Sequence, residues 1–191
     1  MKQFDYMEKW KKLLTPQIVS YLTTIHEYKG KQHLIAERHA DVLENLVEIA
    51  KIQSTESSNK IEGIYTSDER LKKIVLDKTM PKTRNEREIA GYRDVLNTIH
   101  ENFQHIPIRD TFILQLHRDL YKFENASNGG RFKTADNIIE EEDERGNKFV
   151  RFRPLPAWET PDAIINLCTA YNEAINKGEA DSLLLIPMFI I

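Results

Sequence analysis

The chain has one cysteine, Cys168, so it holds no internal disulfide, and nothing in its cysteine usage asks for an oxidising compartment. Glycine and proline number only 7 each, too few for a fibrous repeat or a low-complexity segment. An excess of positive charge is also missing. With 27 basic and 30 acidic side chains the formal charge is −3 and the pI near 6.1, which gives no electrostatic footprint for nucleic acid or an acidic membrane surface. Long hydrophobic runs are absent as well: the longest, Leu183–Ile191, covers nine residues against the ~20 needed to span a bilayer. The start, MKQFDYMEKWKKLL, lacks the apolar stretch and cleavage-like site of a secretory signal, so the expected compartment is cytoplasmic by default. What remains, 40% hydrophobic and 30% charged over 191 residues, is the balance of an ordered, helix-leaning protein long enough to bury a core.

Helix signals recur along the chain. Thr15-Pro16 opens a segment over 15–29 with a cap followed by proline at the first helical position. A longer helix is predicted from Gln32 to Thr55, with Leu43, Val47 and Ala50, and Val42, Leu46 and Ile49 beside them, recurring at three and four. After SSNKIEGIYTS, the pattern Thr66-x-x-Glu69 predicts a capping box for a helix from Ser67, and Thr83-x-x-Glu86 repeats it. The second of these opens a helix with Ile89, Tyr92, Leu96 and Ile99 on one face. Asp110 is a candidate cap for a helix carrying Phe112, Ile113, Leu116 and Leu120, after which Asn128-Gly129-Gly130 breaks the rhythm.

From Asn137 to Phe152 the text changes to β-rich ends around a charged, glycine-containing middle, predicting an exposed hairpin that turns near Arg145-Gly146-Asn147. Thr160-Pro161 restarts a helix through Ala174, and Asp181 or Ser182 caps the last one. The expected fold is all-α with one β-hairpin over 136–152, in two parts, 1–82 and 83–191, joined near Gly63–Thr83. The closing LLLIPMFII reads either as a helix docked into the core or as one that stops short of a core it was built to complete.

Few residues look chemical. The six histidines are scattered, His100 and His105 share no helical face, and no metal-ligand spacing is present, so no metal site is expected. Gly129-Gly130 lacks the lysine and hydroxyl of a phosphate loop, and Cys168 reads as a small core residue. The acidic run Glu140–Asp143 reads better as a solvated hairpin tip than as a cation site.

More informative is Ser58-Asn59-Lys60-Ile61-Glu62-Gly63. On a helix Ser58 and Glu62 stand at i and i+4, and Gly63 is placed to end the helix left-handed. Glu62 then sits at the negative end of the helix dipole, where a carboxylate costs a few tenths to ~1 kcal/mol. Lys60, two residues away, points elsewhere, so Glu62 is either a solvated residue before a turn or one that receives a cation from outside the segment.

That segment resembles the inhibitory motif [S/T]-x-x-x-E-[G/N] of the Fic family of protein adenylyltransferases. A second region is similar to the same family at the right distance downstream. Gly130-Arg131-Phe132-Lys133-Thr134, the hairpin, and Arg153-Pro154-Leu155-Pro156 resemble the Fic flap and its entry, and ADSLLLIPMFII resembles the helix that leads to the catalytic loop. The resemblance covers Ser54 to Ile191; the earlier helices are similar only in being helical. The family's H-x-F-x-[D/E]-G-N-G-R loop is not among these residues, so the chain looks like the first part of a Fic protein and no catalytic residue is assigned in it.

The resemblance implies a Fic-like helical bundle whose activity is transfer of AMP from ATP, with Mg²⁺, to a Ser, Thr or Tyr hydroxyl of a target protein. The missing loop would supply the histidine base, the acidic Mg²⁺ ligand and the arginines, so the 191 residues alone are expected to transfer no AMP. Glu62 would be the brake, pairing with a loop arginine that otherwise receives the γ-phosphate. Ser58 would hold the inhibitory helix, near 55–63, and Gly63 would let the chain leave it. The hairpin arms Asn137–Glu140 and Lys148–Arg151 would take the target segment as an added strand. Ile138 and Ile139 would form an apolar clamp over nucleotide and target, or simply pack on the helical core, with Glu140, Phe149 and Val150 completing the flap. The alternative is a non-enzymatic, antitoxin-like partner that offers the Glu62 helix to a separate Fic enzyme. The oligomeric state stays open, a homodimer included, and neither nucleic acid nor membrane is expected as a partner.

Overall fold

The computed structural model describes residues 4–36, 40–124 and 129–190. Among them are seven α-helices: α1 (Pro16–Ala36), α2 (Ala40–Ile61), α3 (Asp68–Val75), α4 (Arg84–Asn102), α5 (Asp110–Leu120), α6 (Thr160–Lys177) and α7 (Ser182–Ile190). One antiparallel pair, β1 (Ile139–Glu142) and β2 (Lys148–Phe152), completes the mostly helical architecture with a hairpin that the composition and periodicity predict. Asn128 and Ile191, singled out in the sequence, lie outside the described residues. No described helix is long and apolar enough to cross a membrane.

The chain forms two compact units that interleave it, where the sequence suggests a single cut between 82 and 83. The helical unit comprises Leu14–Pro107 and Gln115–Gly130; the hairpin unit comprises Met1–Leu13, Ile108–Leu114 and Arg131–Ile191.

The helical unit is built on α3 and α4. Leu71, Ile74 and Val75 of α3 recur at three and four and bury one face against Ile89 and Ala90 of α4, with Ile52, Ile64 and Phe123 packed around them. Ile74, Ile89 and Ala90 are fully enclosed. The start of α4 carries the expected capping box, both reciprocal bonds between Thr83 and Glu86 being present. The corresponding expectation for α3 is not met. Its cap is Ser67, whose side chain accepts from the Arg70 amide, while the Thr66 hydroxyl reaches Glu86 instead. Glu86 is the reason: buried at 4% exposure, it also accepts from Arg70 Nε and Nη2 at 2.8 and 2.7 Å and from the Lys82 amide at 2.7 Å. That set of donors holds its carboxyl at about 2, against an ordinary value of 4.5.

Two boundaries also differ from expectation. α1 runs on to Ala36, through the Gln32 at which the next helix is expected to start, and α2 passes through STESSN, a cluster that reads locally as a helix end near Thr55. In the continued helix Thr55 and Asn59 are both enclosed, and Asn59 Nδ2 donates to the Thr55 carbonyl at 2.8 Å.

In the hairpin unit, Tyr6, Ala174 and Leu185 form the centre, with Leu167, Tyr171 and Met188 against them. The Tyr6 hydroxyl donates to the Met188 carbonyl at 3.2 Å. Cys168 is buried, as expected of a core residue. Gly178 ends α6 left-handed at φ 67°, and Asp181 is the cap of α7, its carboxylate accepting from the Leu183 amide at 2.9 Å. α7 buries Leu184 and Leu185 yet leaves Ile186 and Ile190 exposed. Asp110 is the first residue of α5, whose opening bond runs from the Ile113 amide to the Arg109 carbonyl.

Candidate functional site

The end of α2 is built by its last residues. Gly63 adopts φ 75°, a conformation that only glycine takes at little cost, and so turns the chain out of the helix. The Ile64 amide then donates to the Asn59 carbonyl at 2.9 Å and the Gly63 amide to the Lys60 carbonyl at 3.0 Å. These two bonds make a Schellman motif, which satisfies carbonyls the helix would otherwise leave open. Ile64 seats itself on the α3–α4 core and fixes the direction of departure.

Glu62 therefore stands one residue past the helix, at its negative end. It is exposed and forms no ion pair or side-chain hydrogen bond with a described residue. Lys60 points away, as the spacing predicts, and pairs with Glu56. Ser58 is the acceptor of the Tyr92 hydroxyl at 2.9 Å, which ties the last turn of α2 to α4.

Ser58 and Glu62 open onto a cavity of about 530 Å³ in the helical unit, together with Arg84, Glu88, Tyr92 and His117. Arg84 is committed to Glu88 at 2.8 Å and stands 4.0 Å from Glu124, one of whose carboxylate oxygens is buried without a hydrogen-bond partner. The His117 ring lies edge-on to Tyr121 with centroids 5.2 Å apart, and its Nδ1 accepts from the Gly130 amide at 3.1 Å. The neutral ring then carries its proton on Nε2.

Sequence patterns place Ser58, Glu62 and Gly63 together, and the structure does the same. They do not reveal the other walls. Tyr92 reads as one more apolar position on the α4 face, and its hydroxyl was the available hint. His117 reads as one histidine among six, with nothing local to connect it to Gly130.

The hairpin belongs to the other unit. Its register pairs Glu140 with Val150, Glu141 with Phe149 and Glu142 with Lys148, and an irregularity follows where Ile139 faces Phe152. Asp143 closes the turn by accepting from the amides of Arg145 and Asn147, both at 2.9 Å, and from the Asn147 side chain at 3.0 Å. Those bonds hold its carboxyl below the usual range, so the acidic tip is organised by its own turn. Ile138, Ile139, Phe149 and Val150 are all exposed, between 38% and 51%. Among the described residues no further strand pairs with the hairpin, which has an open edge on each side.

The donor set does not suit Mg²⁺-triphosphate. No described group of three or more His, Cys, Asp or Glu side chains could hold a metal ion. The cavity offers two carboxylates, Glu62 and Glu88, and a single guanidinium that Glu88 already occupies. Such a cavity repels polyanions and favours a cation or a hydrogen-bond donor. The sequence matches no protein-family model, and comparison with curated proteins finds no relative.

Proposed function

We propose that the chain is the regulatory and target-docking part of a Fic-type protein adenylyltransferase, which transfers AMP from ATP to a Ser, Thr or Tyr hydroxyl of a target protein. The observation that carries this is Glu62: among the described residues it is an unpaired carboxylate, held past the end of α2 by Gly63 and the Ser58–Tyr92 bond, at the edge of a cavity whose described lining has no free guanidinium or ammonium group. A carboxylate so placed gains by receiving an arginine, and an arginine it holds is withdrawn from a triphosphate. Inhibition by occupation follows from that competition.

The exposed hairpin fits the second role. Its open edges can take an extended peptide as a further strand through main-chain bonds, while Ile138, Ile139, Phe149 and Val150 offer apolar contacts for the peptide's side chains. None of the 191 residues is assigned the proton transfer or the metal, and no step is routed through them.

The test is Glu62→Gly in the protein expressed from its complete coding sequence, with incorporation of labelled AMP as readout. Release of the brake raises self-modification at least about tenfold, the equivalent of roughly 1.4 kcal/mol lost from the inhibitory pair. An unchanged level, with nucleotide still bound, removes Glu62 from the mechanism.

A further inference from the structure

The pair Gly129-Gly130 and one of the six histidines meet at the end of α5. Gly129 lies close against that end: a Cβ there would stand 3.1 Å from Tyr121 Cβ and 3.3 Å from Arg118 Cα, tighter than packed side chains normally come. Gly130 follows at φ 75° and aims its amide at His117 Nδ1, 3.1 Å away. Gly130 is also the last residue of the helical unit, and Arg131 opens the next stretch of the hairpin unit. The bond therefore fixes the point at which the chain leaves the helical unit.

Its acceptor is titratable. Nδ1 accepts the amide only while its lone pair is free. A proton taken up by the neutral ring arrives at that same lone pair, because Nε2 already carries one. The imidazolium then presents an N–H to the Gly130 N–H, and the amide loses its acceptor. Proton and amide compete for one site.

The surroundings admit the proton. The ring is half-buried and lines the cavity shared with Glu62, past the end of α2, and Glu88, on α4. Both carboxylates favour a positive ring. Arg84 of α4 opposes it, but Glu88 already pairs with that guanidinium at 2.8 Å and Glu124 stands 4.0 Å from it. Tyr92 and Tyr121 bring hydroxyls to the same cavity, and Arg118, the next residue on α5, stands 3.6 Å from Asp119. His117 itself forms no ion pair with a described residue.

We propose that His117 is a pH-operated latch: the neutral ring holds Gly130 against the end of α5, and the protonated ring lets it go. The latch works between about pH 8 and pH 5, the range in which histidine changes charge. The inference does not rest on the adenylyltransferase assignment.

The experiment is a titration of the 191-residue chain by nuclear magnetic resonance, following the His117 ring and the Gly130 amide from about pH 8 to about pH 5. The Gly130 resonance should move with the ring and share its midpoint. Its exchange protection, corrected for the intrinsic rate at each pH, should fall at least about tenfold. In His117→Asn, Oδ1 takes the place of Nδ1 and does not titrate, so Gly130 stays protected at low pH. His117→Phe has no acceptor and leaves Gly130 poorly protected at every pH. Protection at Ile74 and Ile89, unchanged throughout, reports that the core of the unit is intact. A Gly130 amide that stays in place while the ring titrates overturns the proposal. So does a ring that takes up no proton over this range, or a Gly130 transition that persists in His117→Asn. The wild-type titration decides by itself if either variant fails to fold.

Discussion

Replacing Glu86 by glutamine removes a buried charge that ties α3 to the start of α4. In the wild type this carboxylate takes two bonds from Arg70, one from the Lys82 amide and one from the Thr83 amide. Its carboxyl lies at about 2 rather than 4.5, and at about 1.4 kcal/mol per pH unit the difference corresponds to roughly 3 kcal/mol. The Arg70 side chain is a quarter exposed, so water screens the pair and about 2 kcal/mol is the value to expect. Because the folded carboxyl is depressed, its stabilisation is fully present above about pH 4.5 and is lost as the pH falls through about 2. Glutamine cannot follow. Its amide also turns one donor toward the Lys82 or Thr83 amide, so the variant is weaker at neutral pH and flatter on acidification.

Urea unfolding of both proteins at pH 6, 4 and 2 measures this, and subtracting the two curves cancels the other carboxylates. Both tryptophans, Trp10 and Trp158, lie in the hairpin unit, so fluorescence follows the wrong part of the molecule. Amide exchange at Ile74 and Ile89 reports the helical unit directly. The expected difference is about 2 kcal/mol at pH 6, closing toward zero at pH 2. A gap that stays constant over that range refutes a depressed carboxyl at Glu86.

Gly91→Ala should be the most damaging small substitution in the helical unit, since the new Cβ would lie 1.9 Å from the Leu120 carbonyl oxygen. A loss of about 3 kcal/mol in urea unfolding is expected, and one below about 1 kcal/mol would contradict the close approach of α4 and α5. Gly63→Ala meets no atom within 4 Å, so its cost of about 1 kcal/mol is purely that of φ 75°, and Gly63→Asn should recover part of it. Tyr92→Phe takes the donor away from Ser58; a loss of about 1 kcal/mol with faster amide exchange at Ile64 is expected, and unchanged exchange would separate the bond from the geometry of Glu62.

What the sequence announces are local devices. Thr83 and Glu86 make their box, Gly63 leaves its helix left-handed, Asp181 caps α7 and the hairpin turns where Gly146 permits, because each depends on residues within a few positions. What it hides depends on distant partners. Thr66 forsakes its expected box for Glu86, twenty positions on, and Arg70 meets the same carboxylate from sixteen away. α2 runs on through a stretch of poor helix formers, where the Asn59 side chain turns back onto the Thr55 carbonyl inside the packed unit. The site divides in the same manner: Ser58, Glu62 and Gly63 are visible as a spaced trio, whereas Tyr92, Arg84 and His117 reach the same cavity only through the packing of α2, α4 and α5.

The bond between Tyr6 and the Met188 carbonyl spans 182 residues, and it dates the parts of the molecule. On a ribosome adding ~5–20 residues per second, the Tyr6 segment leaves the tunnel on the order of ten to forty seconds before the helix that receives it. The core residues of the helical unit all precede Gly130, so they are made while Phe4, Tyr6, Met7 and Trp10 still lack the α7 residues that cover them. The residues around Tyr6 are thus made long before the helix on which they close. A bulky fusion at the N-terminus should slow the closing of the hairpin unit while leaving the helical unit's formation on time.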